Sequence, residues 1–155
     1  MKNWQHQSIM TLASGFQSGY LPKIPGTWGT MSALPLYFLL HLLSFGYLTQ
    51  GLGFIVFWLV CFCFGIWICD YAEKQSQNVD PGWVVWDEIV AFLPCIWLYS
   101  GWTLILAFVL FRIFDAWKPW PICWFEQHLK GGFAIMFDDL LAFCYVWLVI
   151  LALGW

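Results

Sequence analysis

Residues Gly131–Phe143 read GGFAIMFDDLLAF, with two adjacent carboxylates, Asp138 and Asp139, at the mouth of an apolar run that continues to Trp155. A carboxylate at the edge of a hydrocarbon phase is costly unless something compensates it. The run sets the fold class. Residues 140–155 contain no Asp, Glu, Lys or Arg, and neither do 33–48, 52–69, 89–99 and 102–111. Sixteen helical residues span about 24 Å and eleven about 16 Å. The first, second and last runs therefore nearly cross a bilayer. The middle two need help from their flanks, thin the membrane, or re-enter it.

Composition agrees. Of 155 residues, 62% are hydrophobic and 10% charged, and mean hydropathy is +0.74. A soluble domain carries about 25% charged residues, so too little polar surface is present to cover a globule in water. The chain reads as an all-α, polytopic membrane bundle of about four to five apolar helices. It forms a single domain over 1–155, with an N-terminal segment and Gly/Thr-rich loop at 1–32 and the bundle at 33–155. A net charge of −3 offers no basic surface for nucleic acid. Thr11, Ser14, Gln17 and Ser18 interrupt the N-terminal segment, which does not read as a cleaved signal peptide. The six cysteines lack zinc or CxxC spacing and read as small packing residues. His41, inside the first run, reads as a neutral, hydrogen-bonded packing residue.

All charged residues fall in three intervals: the N-terminus through Lys23, Asp70–Glu88, and Arg112–Asp139. The uncharged gaps, Leu48–Gly53 and Tyr99–Gly101, are short turns containing Gly. Two helical hairpins and a last helix would put every charge on one side, with Gly51 and Gly101 opposite Lys118. All six Lys and Arg would then lie on that side, which the positive-inside rule makes cytoplasmic.

Three acidic clusters reach this face: Asp87-Glu88, Asp115 and Asp138-Asp139. Neighbours on a helix point about 100° apart, so each pair must divide its members between two directions. Carboxylates meeting in a low-dielectric pocket repel one another. A hard divalent cation relieves that repulsion, and oxygen-only donors favour Mg²⁺, Mn²⁺ or Ca²⁺ over zinc. The plain alternative is a set of solvated helix ends. Arg112 and Asp115, at i and i+3, share a helix face. Pro119 should end that helix near Lys118. The stretch Gly19–Pro35, GYLPKIPGTWGTMSALP, precedes the first apolar helix as a Gly/Thr-rich loop. It reads as a candidate phosphate cradle or as an ordinary helix-capping loop.

In order, LPKIPGTWGTMSALP, VVWDEIVAF and FRIFDAWKPWPICWFEQHLKGGFAIMFDD resemble the bacterial phosphatidylglycerophosphatase A family. The resemblance covers about Gly15 to Phe143. The family's motifs are matched by Pro25–Thr30, by Asp87-Glu88, by Phe111–Pro121 and by the Gly131–Asp139 segment. It departs at Ala91, Ala134 and Phe143, where the family pattern has Gly. The resemblance implies a helical, Mg²⁺-dependent enzyme of the inner membrane with its site facing the cytoplasm. Such an enzyme removes phosphate from phosphatidylglycerol phosphate to give phosphatidylglycerol. Carried over, Asp87, Glu88, Asp138 and Asp139 would bind one or two Mg²⁺. Asp115 would be a further ligand or the base that orients water. Lys23, Thr27, Arg112 and Lys118 would neutralise phosphate oxygens. Direct attack by water and a phospho-aspartyl intermediate both fit. Two other readings are a CDP-alcohol phosphatidyltransferase-like lipid enzyme and a carboxylate-lined ion-binding protein. The first lacks its expected Asp-Gly and Ala-Arg run, and the second should carry acids at mid-membrane.

Overall fold

A computed structural model describes residues 3–42 and 51–155. Among these, the regular structure is entirely helical. The helices are α1 (Asn3–Ala13), α2 (Pro25–Leu42), α3 (Gly51–Ser76), α4 (Trp86–Leu98), α5 (Gly101–Trp117), α6 (Ile122–His128) and α7 (Gly132–Ala152). The all-α class expected from the sequence is the one observed. By length and composition, α3 and α7 are each able to cross a membrane.

The centre of the bundle is α4. From Trp86 to Cys95 each of its residues is buried. A helix that is apolar all round belongs inside, and α2, α3, α5 and α7 all pack on it. Pro94 lies within this helix and cannot donate to the carbonyl four residues earlier. That carbonyl, on Val90, accepts a 2.8 Å hydrogen bond from the Trp58 indole of α3. The acceptor freed by the proline is thereby satisfied from outside the helix.

Among the described residues, which stop at Leu42 and resume at Gly51, α2 and α3 both pack on α4 and meet edge-on at Tyr37 and Phe54, 6.4 Å between ring centres. The stretch expected as a loop up to Pro35 is helical from Pro25 onward. Proline suits the first helical position because no partner for its nitrogen is needed there. The glycines that suggested a loop serve close packing instead. A Cβ on Gly29 would fall 2.5 Å from the Val85 Cβ and 2.6 Å from a Glu88 carboxylate oxygen. His41 is exposed in the last turn of α2 rather than packed inside. The first uncharged turn lies mostly outside the described residues, and the second joins α4 to α5.

Contacts along α3 and α4 fix their antiparallel polarity. Phe54 stacks on Trp97 at 4.8 Å between ring centres, and the Trp86 indole donates to the Cys61 carbonyl at 3.4 Å. The charged ends of α3, α4, α5 and α7 consequently gather at one end of the bundle. α1 joins that end, where the Ala13 carbonyl accepts from the Val85 amide at 2.9 Å. At the start of α7, a Cβ on Gly132 would collide with the Ile66 carbonyl of α3, so glycine lets α7 seat closely there. The helix at 101–117 stops before Lys118, as Pro119 requires.

The Trp58–Val90 bond is testable by a double-mutant cycle. Trp58→Phe should lower stability by about 1–3 kcal/mol by orphaning the carbonyl. Adding Pro94→Ala, which restores an amide donor, should recover part of that loss. Strictly additive thermal-unfolding effects would contradict this account of Pro94.

Candidate active site

The charged end holds a cleft of about 280 Å³. Its walls carry six carboxylates, Asp80, Asp87, Glu88, Asp115, Asp138 and Asp139, against two cations, Arg112 and Lys118. Asp87, Glu88, Asp138 and Asp139 are the buried acids of the described chain. Such a surplus of like charge in a desolvated site is strongly unfavourable by itself.

Each carboxylate pair divides its members as helix geometry requires. Glu88 reaches Arg112 at 3.0 Å, while Asp87 lies on the side of Asp139. Asp138 reaches Lys118 at 2.9 Å, whereas Asp139 faces Asp115, Asp87 and Glu88. The solvated-helix-end alternative fits position only for Asp87 and Glu88, which sit in the first turn of α4. Asp138 and Asp139 lie about 9–10 Å into α7, past its capping turn. No capping need accounts for two buried acids there.

Arg112 ties three helices together. Its NH1 nitrogen lies 3.0 Å from Glu88 Oε1 and 2.8 Å from Asp115 Oδ2, and donates to Thr30 Oγ1 at 3.3 Å. Thr30 also donates to the Gly26 carbonyl at 2.9 Å and approaches Glu88 Oε2 at 3.5 Å. Glu88 thus has one oxygen held by Arg112 and the other within 3.5 Å of the Thr30 hydroxyl. Gly26 carries no side chain because a Cβ would meet the Glu88 carboxylate, with the Arg112 guanidinium 2.6 Å away.

Lys118 sits just past α5 with φ +46°. It bridges Asp138 and Glu126, at 2.9 and 2.7 Å, and lies 3.9 Å from Asp80. Burial opposes its charge, but hydrogen bonds to Glu126 and Asp138 outweigh burial and hold its ammonium above the usual lysine range. Asp80, on the loop between α3 and α4, is pushed up by burial and only partly drawn back by Lys118.

The cleft therefore gathers seven of the nine residues proposed from sequence: Asp87, Glu88, Asp115, Asp138, Asp139, Arg112 and Lys118. Lys23 is exposed and Thr27 half-buried, and neither lines the cleft. The Thr27 and Trp28 amides are already bonded to the Ile24 carbonyl. Sequence reasoning missed Asp80, and it placed Gly26 and Thr30 inside the Pro25–Thr30 motif without giving either a role of its own. For Thr30 the available signal was its i+4 spacing from Gly26 on a helix. For Asp80 there was none, because a polar loop gives no hint that it folds back over a cleft.

Buried side-chain oxygens of Asp87, Asp138 and Asp139 have no hydrogen-bond partner. Orphaned carboxylate oxygens beside excess negative charge suit a hard cation. Among the described residues, no three His, Cys, Asp or Glu side chains stand close enough together to hold a metal ion as they lie. The donor chemistry fits Mg²⁺, with the acids held apart by Arg112 and Lys118. Ala134 sits in helical conformation at the α7 entrance, outside the positive-φ set. Ala91 is buried and Phe143 packs at the edge of the core.

Unlike charges and like charges should respond oppositely to removal. Arg112→Leu strands Glu88 and Asp115 and should cost about 3–5 kcal/mol. Asp139→Asn removes a repelling charge at constant size and should leave stability in chelator equal to or above wild type. Thermal unfolding in EDTA separates the two, and a destabilised Asp139→Asn protein would refute the repulsion.

The model of the family described as Phosphatidylglycerophosphatase A matches residues 11–154. The Phosphatidylglycerophosphatase A of Escherichia coli strain K12 is 38% identical over 138 residues, 84% of this chain and 74% of that protein. That of Haemophilus influenzae is 38% identical over 149 residues, 94% of this chain and 88% of the relative. A Bacteroides thetaiotaomicron protein named Putative phosphatidylinositol-3-phosphatase is 36% identical over 154 residues, 93% of this chain and 92% of its own length. No solved structure matches the chain. With charged cleft and sequence agreeing over nearly its whole length, the chain belongs to the phosphatidylglycerophosphatase A family.

Proposed function

We propose that this protein hydrolyses the phosphomonoester of phosphatidylglycerol phosphate, leaving phosphatidylglycerol and inorganic phosphate, at the cytoplasmic face of a bacterial inner membrane. The observation that carries the reading is the cleft itself. Six carboxylates and two cations open at one end of a bundle whose flanks expose Leu, Ile, Val, Phe and Trp. A polar catalytic chamber at the end of an apolar body suits a substrate whose phosphate is in water and whose tails stay in lipid.

In this reading, Asp87, Asp138 and Asp139 would hold Mg²⁺, each having a buried oxygen without a partner. Glu88 belongs to the same acidic wall but has its oxygens on Arg112 and Thr30. The cation, when bound, would polarise the phosphoryl group and lower the pKa of a bound water. The protein's own groups supply the rest. Arg112 and Lys118 offer donors to phosphate oxygens as negative charge shifts in the transition state. Asp115, whose Oδ2 is held by Arg112, would accept a hydrogen bond from the attacking water and take its proton. The water oxygen bonds to phosphorus as the phosphorus–glycerol oxygen bond breaks. The leaving alkoxide would take a proton from solvent water at the cleft mouth and depart as the lipid alcohol, and Asp115 would return its proton to solvent.

Phosphate release from phosphatidylglycerol phosphate tests the reaction, with phosphatidylinositol 3-phosphate as the comparison lipid. EDTA should abolish release and Mg²⁺ or Mn²⁺ restore it, and full turnover in chelator would overturn the metal assignment. Asp139→Asn in folded, membrane-inserted protein should lower kcat by about 10²–10³. For orientation, single cysteines at Ser100 and Gln127, in a background lacking the native cysteines, should be labelled from opposite sides of the membrane. Labelling from the same side would refute the one-faced arrangement.

A further inference from the structure

Below the charged cleft, the same three helices frame a second concavity of different chemistry. α2 and α5 both pack on α4 but scarcely on each other. At the top, the Arg112–Thr30 hydrogen bond closes the space between them. Further down a groove of about 190 Å³ opens, lined by Met31, Leu34, Phe92, Leu104, Ile105 and Phe108. Every one of these side chains is apolar. Each wall continues a wall of the cleft: Leu34 lies two turns beyond Gly26 on α2, and Phe92 one turn beyond Glu88 on α4. On α5, Phe108, Ile105 and Leu104 lie about 6–12 Å further from the charged end than Arg112. Phe92 is fully buried as the floor, while Met31, Leu34 and Ile105 are 43%, 37% and 54% exposed along the rim.

We propose that this groove is the acyl-chain subsite of the enzyme, seating one fatty-acyl chain of the lipid whose phosphate occupies the cleft. The assignment rests on the lipid-phosphatase reading and extends it to the residues that read the tail. A lipid has a charged end joined to apolar chains, and the three shared walls present those two chemistries in that order. Another hollow, on the opposite flank of α2, lacks this continuity. It is bounded by Phe16, Leu21 and Leu39 with Gln17, Ser18 and Ser32, and receives no wall from α4 or α5.

The test uses the full chain reconstituted in phosphatidylcholine vesicles. Ile105→Trp and Leu34→Trp fill the groove from its exposed rim, and Leu39→Trp adds the same ring on the other flank. Each rim variant should raise KM for the dioleoyl substrate about tenfold, as displacing about two methylenes from apolar contact would, with kcat preserved. KM for dihexanoyl phosphatidylglycerol phosphate should stay near wild type, and Leu39→Trp should change neither. Equal effects on both chain lengths, or none, would overturn the subsite. Binding is read separately by phosphatidylglycerol carrying a terminal diazirine on one chain. Its adducts should fall on the α2 and α5 segments containing Leu34 and Ile105, and excess phosphatidylglycerol phosphate should suppress them. Adducts spread evenly over the lipid-facing helices, or indifferent to that competitor, mark bulk lipid and overturn the assignment. Should wild type release no phosphate from either lipid, the hydrolase reading fails, and the competed adducts alone uphold or reject the groove.

Discussion

The guanidinium of Arg112, shared by Glu88, Asp115 and Thr30, holds the rest of the site in place. It joins α5 to α4 and α2 between the charged cleft and the apolar groove. The contact exists only because α2 passes α4 with Gly26 and Gly29 turned inward. A methyl group at either position would stand where the Glu88 carboxylate now lies. Breaking the pair from one side would leave buried charge uncompensated, a far larger cost than the pair's own net contribution.

Lys118 plays the matching part for α7. By bridging Asp138 and Glu126, it fixes one member of the acidic pair. Asp139 is left facing Asp87 and Asp115 without a cation of its own. Two basic groups therefore organise the acids without neutralising them. The residual negative charge works against the folded chain, and it is the feature from which the proposed dication would draw its affinity. Such strain is commonly concentrated at functional sites.

Burial of α4 explains how so short a helix can carry two site carboxylates. Enclosed by four neighbours, it need not span the bilayer. Its N-terminus can stop where Asp87 and Glu88 meet the other charges. Pro94 is tolerated because Trp58 takes over the acceptor it frees. The chamber and the groove beneath it are separate hollows, parted by the Arg112–Thr30 contact, that share α2, α4 and α5 as walls. The chamber has α7 and the α3–α4 loop as further walls.

The sequence by itself determined the helical class and the segregation of charge, because the apolar runs are long and empty of ionised groups. Spacing determined that adjacent acids must diverge, and the helix stop at Lys118 followed from Pro119. Ordered motifs identified the family and seven of the residues that meet in the cleft. Only tertiary structure decided which helices pair, since α4 beyond Glu88 is apolar on all faces and carries no pattern that selects a neighbour. It also turned the Gly26–Thr30 segment from a loop into a packing face. Glycine suits both a flexible turn and a close helix crossing, and a single sequence does not distinguish them. Asp80 entered the site for a different reason. Its position depends on a fold-back of the loop between α3 and α4, which local residue order does not encode.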